Sequence, residues 1–293
     1  MHKRDEVRVV VEKKLKSATN PEDSESRQYH IMVLPGDIAN YILLPGDPSR
    51  IDLIASYMDS YKLVGYHREY RTITGFYKGI KISATSTGIG GPSSSIAVEE
   101  LLRAGAKTFI RVGTCGAIKS KINVGDLIIA TGSFRLDGAS LDYVDKGYPA
   151  LANYEIINAL IQSADGSNAN YHVGLVASTD TFYVGQGRPG FNGFISKNKE
   201  HIIEELSKVN VLAFEMEAST IFTLSQIYSA RAGCICAVIA NRITDEFIAN
   251  AGIESMIKVS LEAVKILAEW DSLKANKNKK WFYPDLINSK STL

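Results

Sequence analysis

Cysteine is scarce in this sequence, with only Cys115, Cys234 and Cys236 among 293 residues. Three thiols cannot build a disulfide framework, and no second Cys/His pair stands at zinc-ligand spacing. That usage fits a reducing, cytoplasmic compartment. Excess charge is missing as well. Lys+Arg number 33 and Asp+Glu 32, a formal net charge of +1, so no global field exists to gather nucleic acid or an anionic membrane surface. No run of about 18 apolar residues occurs, so no transmembrane helix is expected. The only apolar run near the start, Val9-Val10-Val11, is too short for the ~7–15-residue core of a signal peptide. The five histidines form no ligand cluster, and neither a G-x-S-x-G elbow, an H-E-x-x-H pair nor a P-loop G-K-[ST] is present. Covalent and metal-assisted hydrolysis are therefore poorly supported.

What is present is an ordinary globular composition, 45% hydrophobic and 22% charged, with enough chain for a large core. Residues 1–28 are charged and polar and read as a mobile N-terminal extension. Residues 29–270 read as one domain and 271–293 as a C-terminal tail, although its Trp281-Phe282-Tyr283 run suggests a docking point. In the body, short apolar runs alternate with amphipathic stretches. Strands are expected at 41–44, 81–87, 108–112, 127–131, 173–178, 211–214 and 234–240. Helices are expected at 50–58, from Pro92 onward, and at about 152–164, 198–207, 217–228 and 252–269. Continuous apolar strands alternating with helices argue for an α/β fold with a largely buried sheet.

In such folds ligands gather at the carboxyl ends of strands, and three unusual segments lie there. One is Gly46-Asp47-Pro48-Ser49-Arg50, the second Ser86-Thr87-Gly88-Ile89-Gly90-Gly91-Pro92-Ser93, and the third Arg111-Val112-Gly113-Thr114-Cys115-Gly116. Glycines admit close backbone approach, and arginine offers a forked donor for phosphate. Gly46, Arg50, Arg111 and Thr114 thus form a candidate oxyanion pocket, while any one glycine alone reads more readily as a simple turn. Arg111 stands out because it interrupts an apolar strand, where an unpaired charge is costly. A dinucleotide site is weakly supported, since Ser93 occupies the third glycine position of G-x-G-x-x-G. Glu215 and Glu217 sit amid apolar residues and suit ligand hydroxyls; Glu217 also reads as a helix N-terminal acid. Residues 181–188 combine Phe182, Gln186 and Arg188, either a set that stacks a flat ring and binds its edge or a loop with incidental polar groups.

Taken in order, these motifs make the chain similar to the nucleoside phosphorylase family over roughly residues 30–269, nearest to its uridine-cleaving members. The segments that carry the likeness are 45–50, His67-Arg68-Glu69, 86–100, 109–116, Arg135-Leu136-Asp137-Gly138-Ala139-Ser140, 180–188 and Glu215-Met216-Glu217. The resemblance implies a three-layer α/β sandwich with a central mixed, distorted sheet flanked by helices. It implies attack of inorganic phosphate on C1′ of uridine, giving uracil and ribose 1-phosphate, a pyrimidine-salvage reaction that needs no other cofactor. Phosphate would meet Gly46, Arg50, Arg111 and Thr114, with Arg68 donated by a neighbouring subunit. The ribose would meet Met216 and Glu217, with His30 from that neighbour. Phe182, Gln186, Arg188 and Arg242 would hold the base, and Arg111, Glu217, Gln186 and Arg188 would carry the catalysis. Purine-cleaving members carry an acidic residue near Asn241, so Asn241-Arg242 argues for a pyrimidine. Glu69, Ile89 and Ser93 match positions that hold a monovalent cation, potassium, in some relatives. Sites shared in this way require a homo-oligomer, at least a dimer. Cys115 and Gly187 depart from the commonest pattern.

Overall fold

Period-two alternation with both faces apolar dictates a strand buried on two sides, and four strands here follow it. These are β1 (Tyr41–Leu44), β5 (Thr108–Ala117), β6 (Leu127–Leu136) and β10 (Arg231–Asn241). Leu43, Ile110, Val112, Leu127, Ile129, Ile235 and Ala237 point to one core. Ile42, Leu44, Phe109, Ile128, Cys234, Cys236 and Val238 point to the other. The first core is roofed by α1 (Arg50–Ala55), α4 (Tyr154–Gly166) and α7 (Ile253–Asn276), the second by α2 (Gly91–Arg103) and α6 (Ala218–Ile227). The result is the expected three-layer sandwich, seen in a computed structural model that describes residues 15–287.

The remaining elements are β2 (Ser60–His67), β3 (Tyr70–Tyr77), β4 (Ile80–Thr85), α3 (Ala139–Tyr143), β7 (Ala150–Leu151), β8 (Tyr171–Thr179), α5 (Ile202–Lys208), β9 (Val211–Glu215) and β11 (Glu246–Phe247). The sheet runs β11-β10-β6-β8-β9-β5-β1-β4-β3-β2, with a further pairing of β10 to β5 that closes five strands into a ring. That closure is the distortion. On the side of β5 away from β10, β1 pairs with Thr108 to Arg111 and β9 pairs only with Gly116 and Ala117. Between them, at Val112 to Cys115, β5 has no neighbour on that side, and the sheet splits. The functional cleft opens there.

Several boundaries differ from expectation. The helix expected over 50–58 ends at Ala55 in turns, and β2 and β3 have no counterpart in the apolar pattern. β2 is an edge strand whose Tyr61, Leu63 and Tyr66 are exposed, so burial does not mark it. The helix expected at 198–207 starts at Ile202, after a 3₁₀ turn at Lys197–Lys199. Of the N-terminal extension, residues 1–14 lie outside the described residues; within 15–28, Gln28 is buried and bonds Glu22.

The division at 270 falls inside α7, which runs unbroken to Asn276. The charges that read as a tail are instead spent on a partly buried network. Glu155 accepts from Lys274 at 2.7 Å and Arg231 at 2.8 Å, and Arg231 also donates to Asp271 at 2.6 Å. Burial works against the Asp271 charge, yet bonds from Arg231, Tyr41 and Lys274 hold it down at about 2. Beyond the helix, Phe282 stacks on Trp270 with ring centroids 4.0 Å apart and donates its N–H to Glu155. Phe282→Ala is therefore expected to cost about 3 kcal/mol, read as a lower denaturant midpoint.

Candidate active site

Strand β5 carries Arg111 to the split in the sheet, and Gly113 makes room for it: a Cβ there would lie 2.6 Å from the guanidinium. The side chain is buried between two carboxylates from the β9–α6 turn. Its Nε donates to Glu215 Oε2 at 2.7 Å, and its Nη2 forms an ion pair with Glu217 Oε2 at 2.5 Å. Burial opposes the charge, but Glu217 and Glu215 more than offset it and keep Arg111 protonated. The other Glu217 oxygen accepts the Gly90 N–H at 2.6 Å, tying it to the glycine turn before α2. Gly90 takes φ +91°, a conformation glycine reaches without strain.

Arg50, on the first turn of α1, crosses to β5 and donates to the Val112 carbonyl at 3.1 Å. Burial and the nearby Arg111 charge both pull its pKa down. Two guanidiniums repelling one another at the mouth of a split sheet are a receptor for an anion that relieves the repulsion.

The opposite wall comes from the turn after β8. Gln186 is buried; its Nε2 donates to Thr179 Oγ1 at 3.0 Å and its Oε1 accepts from Arg188 at 2.6 Å. Arg188 also lies 3.9 Å over the Phe182 ring, and burial with the neighbouring Arg242 pushes its pKa down to about 10. It therefore stays charged near neutrality. Gly187 adopts φ +69°, and a Cβ there would come 3.0 Å from Ile202 of α5. A side chain there would be strained, so glycine suits the position between the two polar residues.

These walls enclose a cleft of about 640 Å³ lined by Gly46, Arg50, Arg111, Thr114, Phe182, Gln186, Arg188, Met216 and Glu217, together with Glu69 and Ile89. That size suits a nucleoside and a phosphate. An adjoining hollow of about 580 Å³ shares Glu69, Ile89 and Met216 with it and is lined by His30, Arg68 and Ser93. His30 Nδ1 lies 2.6 Å from the buried Glu100 carboxylate, and Ser93 Oγ donates to Glu69 at 2.8 Å. Among the described residues no cluster of three or more His, Cys, Asp or Glu side chains is arranged for a metal. Arg242 stays behind the wall and donates to the Gln186 carbonyl at 3.0 Å. Asn241 is outside the lining too: its amide binds the Lys119 and Ile122 carbonyls and caps the turn at Ile243. Ile239, Ala240 and Phe247 complete the apolar side of the cleft. No motif marked them, because their placement depends on the bulge at Val238/Ala240 and on β11 folding back.

The family model described as the phosphorylase superfamily matches residues 40–269. The chain belongs to the phosphorylase superfamily. Among its relatives, a uridine phosphorylase of Thermococcus kodakarensis is 52% identical over 93% of this chain and 98% of its own length. The Escherichia coli uridine phosphorylase is 42% identical over 84% of this chain and 97% of its own length. A guanosine phosphorylase of Halorubrum lacusprofundi is 36% identical over 83% of this chain and all of its own length. A phosphorylase of this superfamily needs an anion pocket, sugar ligands and a base-binding wall around one space. The cleft brings the residues of the three candidate sets together except for Arg68 and His30, in the adjoining hollow, and Arg242, behind the wall. Among the described residues no helix is long and apolar enough to cross a membrane.

Proposed function

We infer that the chain catalyses phosphorolysis of uridine: inorganic phosphate attacks C1′, the C1′–N1 bond breaks, and ribose 1-phosphate and uracil leave. The observation that carries the base assignment is the Gln186–Arg188 pair, fixed by the 2.6 Å bond between them and by the stack on Phe182. Uracil presents two carbonyl oxygens flanking an N–H. An amide supplies one donor and one acceptor to that edge, and a guanidinium supplies the further donor. In this reading Arg50 and Arg111 hold phosphate with Gly46 and Thr114, Glu217 and Met216 orient the ribose, and Arg188 with Gln186 stabilises the charge that develops on uracil. Positioning and preorganised electrostatics do the work, and no protein nucleophile is required. Support for uridine over a purine nucleoside comes from the uridine phosphorylases at 52% and 42% identity, against 36% for the guanosine phosphorylase. The test is turnover of uridine, cytidine, inosine and guanosine at one phosphate concentration. Uridine should lead by orders of magnitude, and an equal or greater rate with guanosine would overturn the base assignment.

We further propose that the working unit is at least a homodimer in the cytoplasm, serving pyrimidine salvage, with His30 and Arg68 of each subunit completing the other's site. Their place in the adjoining hollow supports this, as does the exposed Ile89 at its rim. The unpaired thiols fit a reducing compartment. Mixing Arg68→Ala with Arg111→Ala chains, after dissociation and reassembly, should restore about one-quarter of the wild-type activity, because each mixed dimer regains one intact site of two. No restoration would place Arg68 outside its neighbour's site. The oxygen donors Glu69 and Ser93 suit a hard cation such as potassium, and we assign such an ion to them and the Ile89 backbone.

A further inference from the structure

Glu215 is the hinge between the two halves of the site. Its Oε2 accepts three bonds, from Arg111 Nε at 2.7 Å and from the backbone N–H groups of Glu217 at 2.9 Å and Ala218 at 2.8 Å. Its Oε1 accepts from Ser178 Oγ at the end of β8. Four donors aimed at one carboxyl group favour its charged form, and burial works against them.

Ser178 is itself saturated, and its bonds have a direction. Its single proton goes to Glu215, so the Ser219 N–H at 2.9 Å and the Ser133 hydroxyl at 2.7 Å must both donate to it. Ser178 is fully buried, and Ser133, on β6, is nearly so. Ser219 is gripped a second time, by its own hydroxyl on Asp137, which also accepts from Thr220 at 2.9 Å. The first turn of α6, immediately after Glu217, is thereby fixed to β8 and to the segment after β6.

We propose that Ser178 is a positioning residue for the reaction: its hydroxyl joins the Glu215 carboxylate to the first turn of α6 and so sets the aim of Arg111 and Glu217 together. This rests on the reading of Arg111 as the phosphate ligand. Without the hydroxyl, Glu215 loses a donor that favours its charged form, and protonation weakens its hold on Arg111 at a higher pH. The charged and titratable groups facing Glu215 are Arg111 and Cys115 from β5, Glu217 from the turn before α6, and Cys234 and Cys236 from β10. Burial already pushes Glu215 up to about 7, so the acid limb falls in an accessible range.

The test is the pH dependence of kcat/KM for inorganic phosphate, from pH 5.5 to 8.5, in wild type, Ser178→Ala, Ser178→Cys and Ser133→Ala. Dividing each variant by wild type at every pH removes the ionisation of phosphate itself. Ser178→Ala should move the acid limb upward by about one to two pH units and approach wild type above it. Ser178→Cys, a weaker donor of similar size, should shift the limb the same way by less, and it serves if the alanine variant does not fold. Ser133→Ala removes a buried hydroxyl from the same layer but leaves the Ser178–Glu215 bond, so its limb should stay in place. A loss uniform across pH in the Ser178 variants, or an equal shift in Ser133→Ala, overturns the proposal. Phosphate binding to Arg111→Ala, measured by calorimetry, reports on the underlying reading separately. Wild-type affinity there removes that reading, whereas lost affinity with an unmoved Ser178→Ala limb removes only the role of Ser178.

Discussion

Arg111→Ala is expected to remain folded at 25 °C and to lose about 10²–10³-fold in kcat/KM for phosphate. The size follows from what the guanidinium does. It is a buried, permanently charged donor that the proposed reaction places against the incoming phosphate, and removing one preorganised donor of this kind costs about 10²–10³ in rate. The same substitution strands Glu215 and Glu217 together without their cation. Breaking a buried pair in this way costs about 3–5 kcal/mol of stability, which a chain of this size tolerates within a typical total of about 5–15 kcal/mol. One of the two carboxylates then takes up a proton. Arg111→Lys should not rescue turnover, because an ammonium cannot bond Glu215, Glu217 and phosphate through one planar fork. Steady-state kinetics with circular dichroism at the same temperature separate the two effects. Near-wild-type turnover in either variant would take Arg111 out of the phosphate site.

Gln186→Ala carries the second large effect. Alanine there removes the amide that the proposed reading sets against the base and leaves Arg188 and Thr179 each short of a bond partner. Sites built on paired hydrogen bonds owe their discrimination to the cost of leaving buried polar groups unpaired. We expect kcat/KM for uridine to fall by about 10²-fold or more, while KM for phosphate changes less than about twofold. The preference for uridine over inosine should fall with it. If uridine and inosine lose activity in equal proportion, the pair does not read the base.

The parts of this molecule legible in its sequence are those where burial acts on both faces of a strand. β1, β5, β6 and β10 announce themselves by alternating runs such as 127–130, and Arg111 is conspicuous because it breaks one. What stayed hidden is set by distance along the chain. Nothing near Arg111 indicates that Glu215, 104 residues later, will hold its Nε. Ser178 reads as an ordinary strand end until Glu215, Ser219 and Ser133 gather around it. The edge strand β2 has Tyr61, Leu63 and Tyr66, three of its four large apolar side chains, in solvent, so no periodic pattern marks it. Asp271 and Lys274 carry the charge of a solvated tail, yet they close on Arg231 and Glu155 and extend α7 past its expected end. Asn241 shows the same effect of distance: its amide holds the loop at the Lys119 and Ile122 carbonyls, which lie 122 and 119 residues earlier in the chain.

The most direct test is to incubate the protein with uridine and inorganic phosphate and follow phosphorus by ³¹P NMR. A sugar-phosphate resonance growing in step with uracil, and absent when phosphate is left out, is the predicted result. Release of uracil that proceeds without phosphate and yields free ribose would contradict it and make water the nucleophile in this cleft.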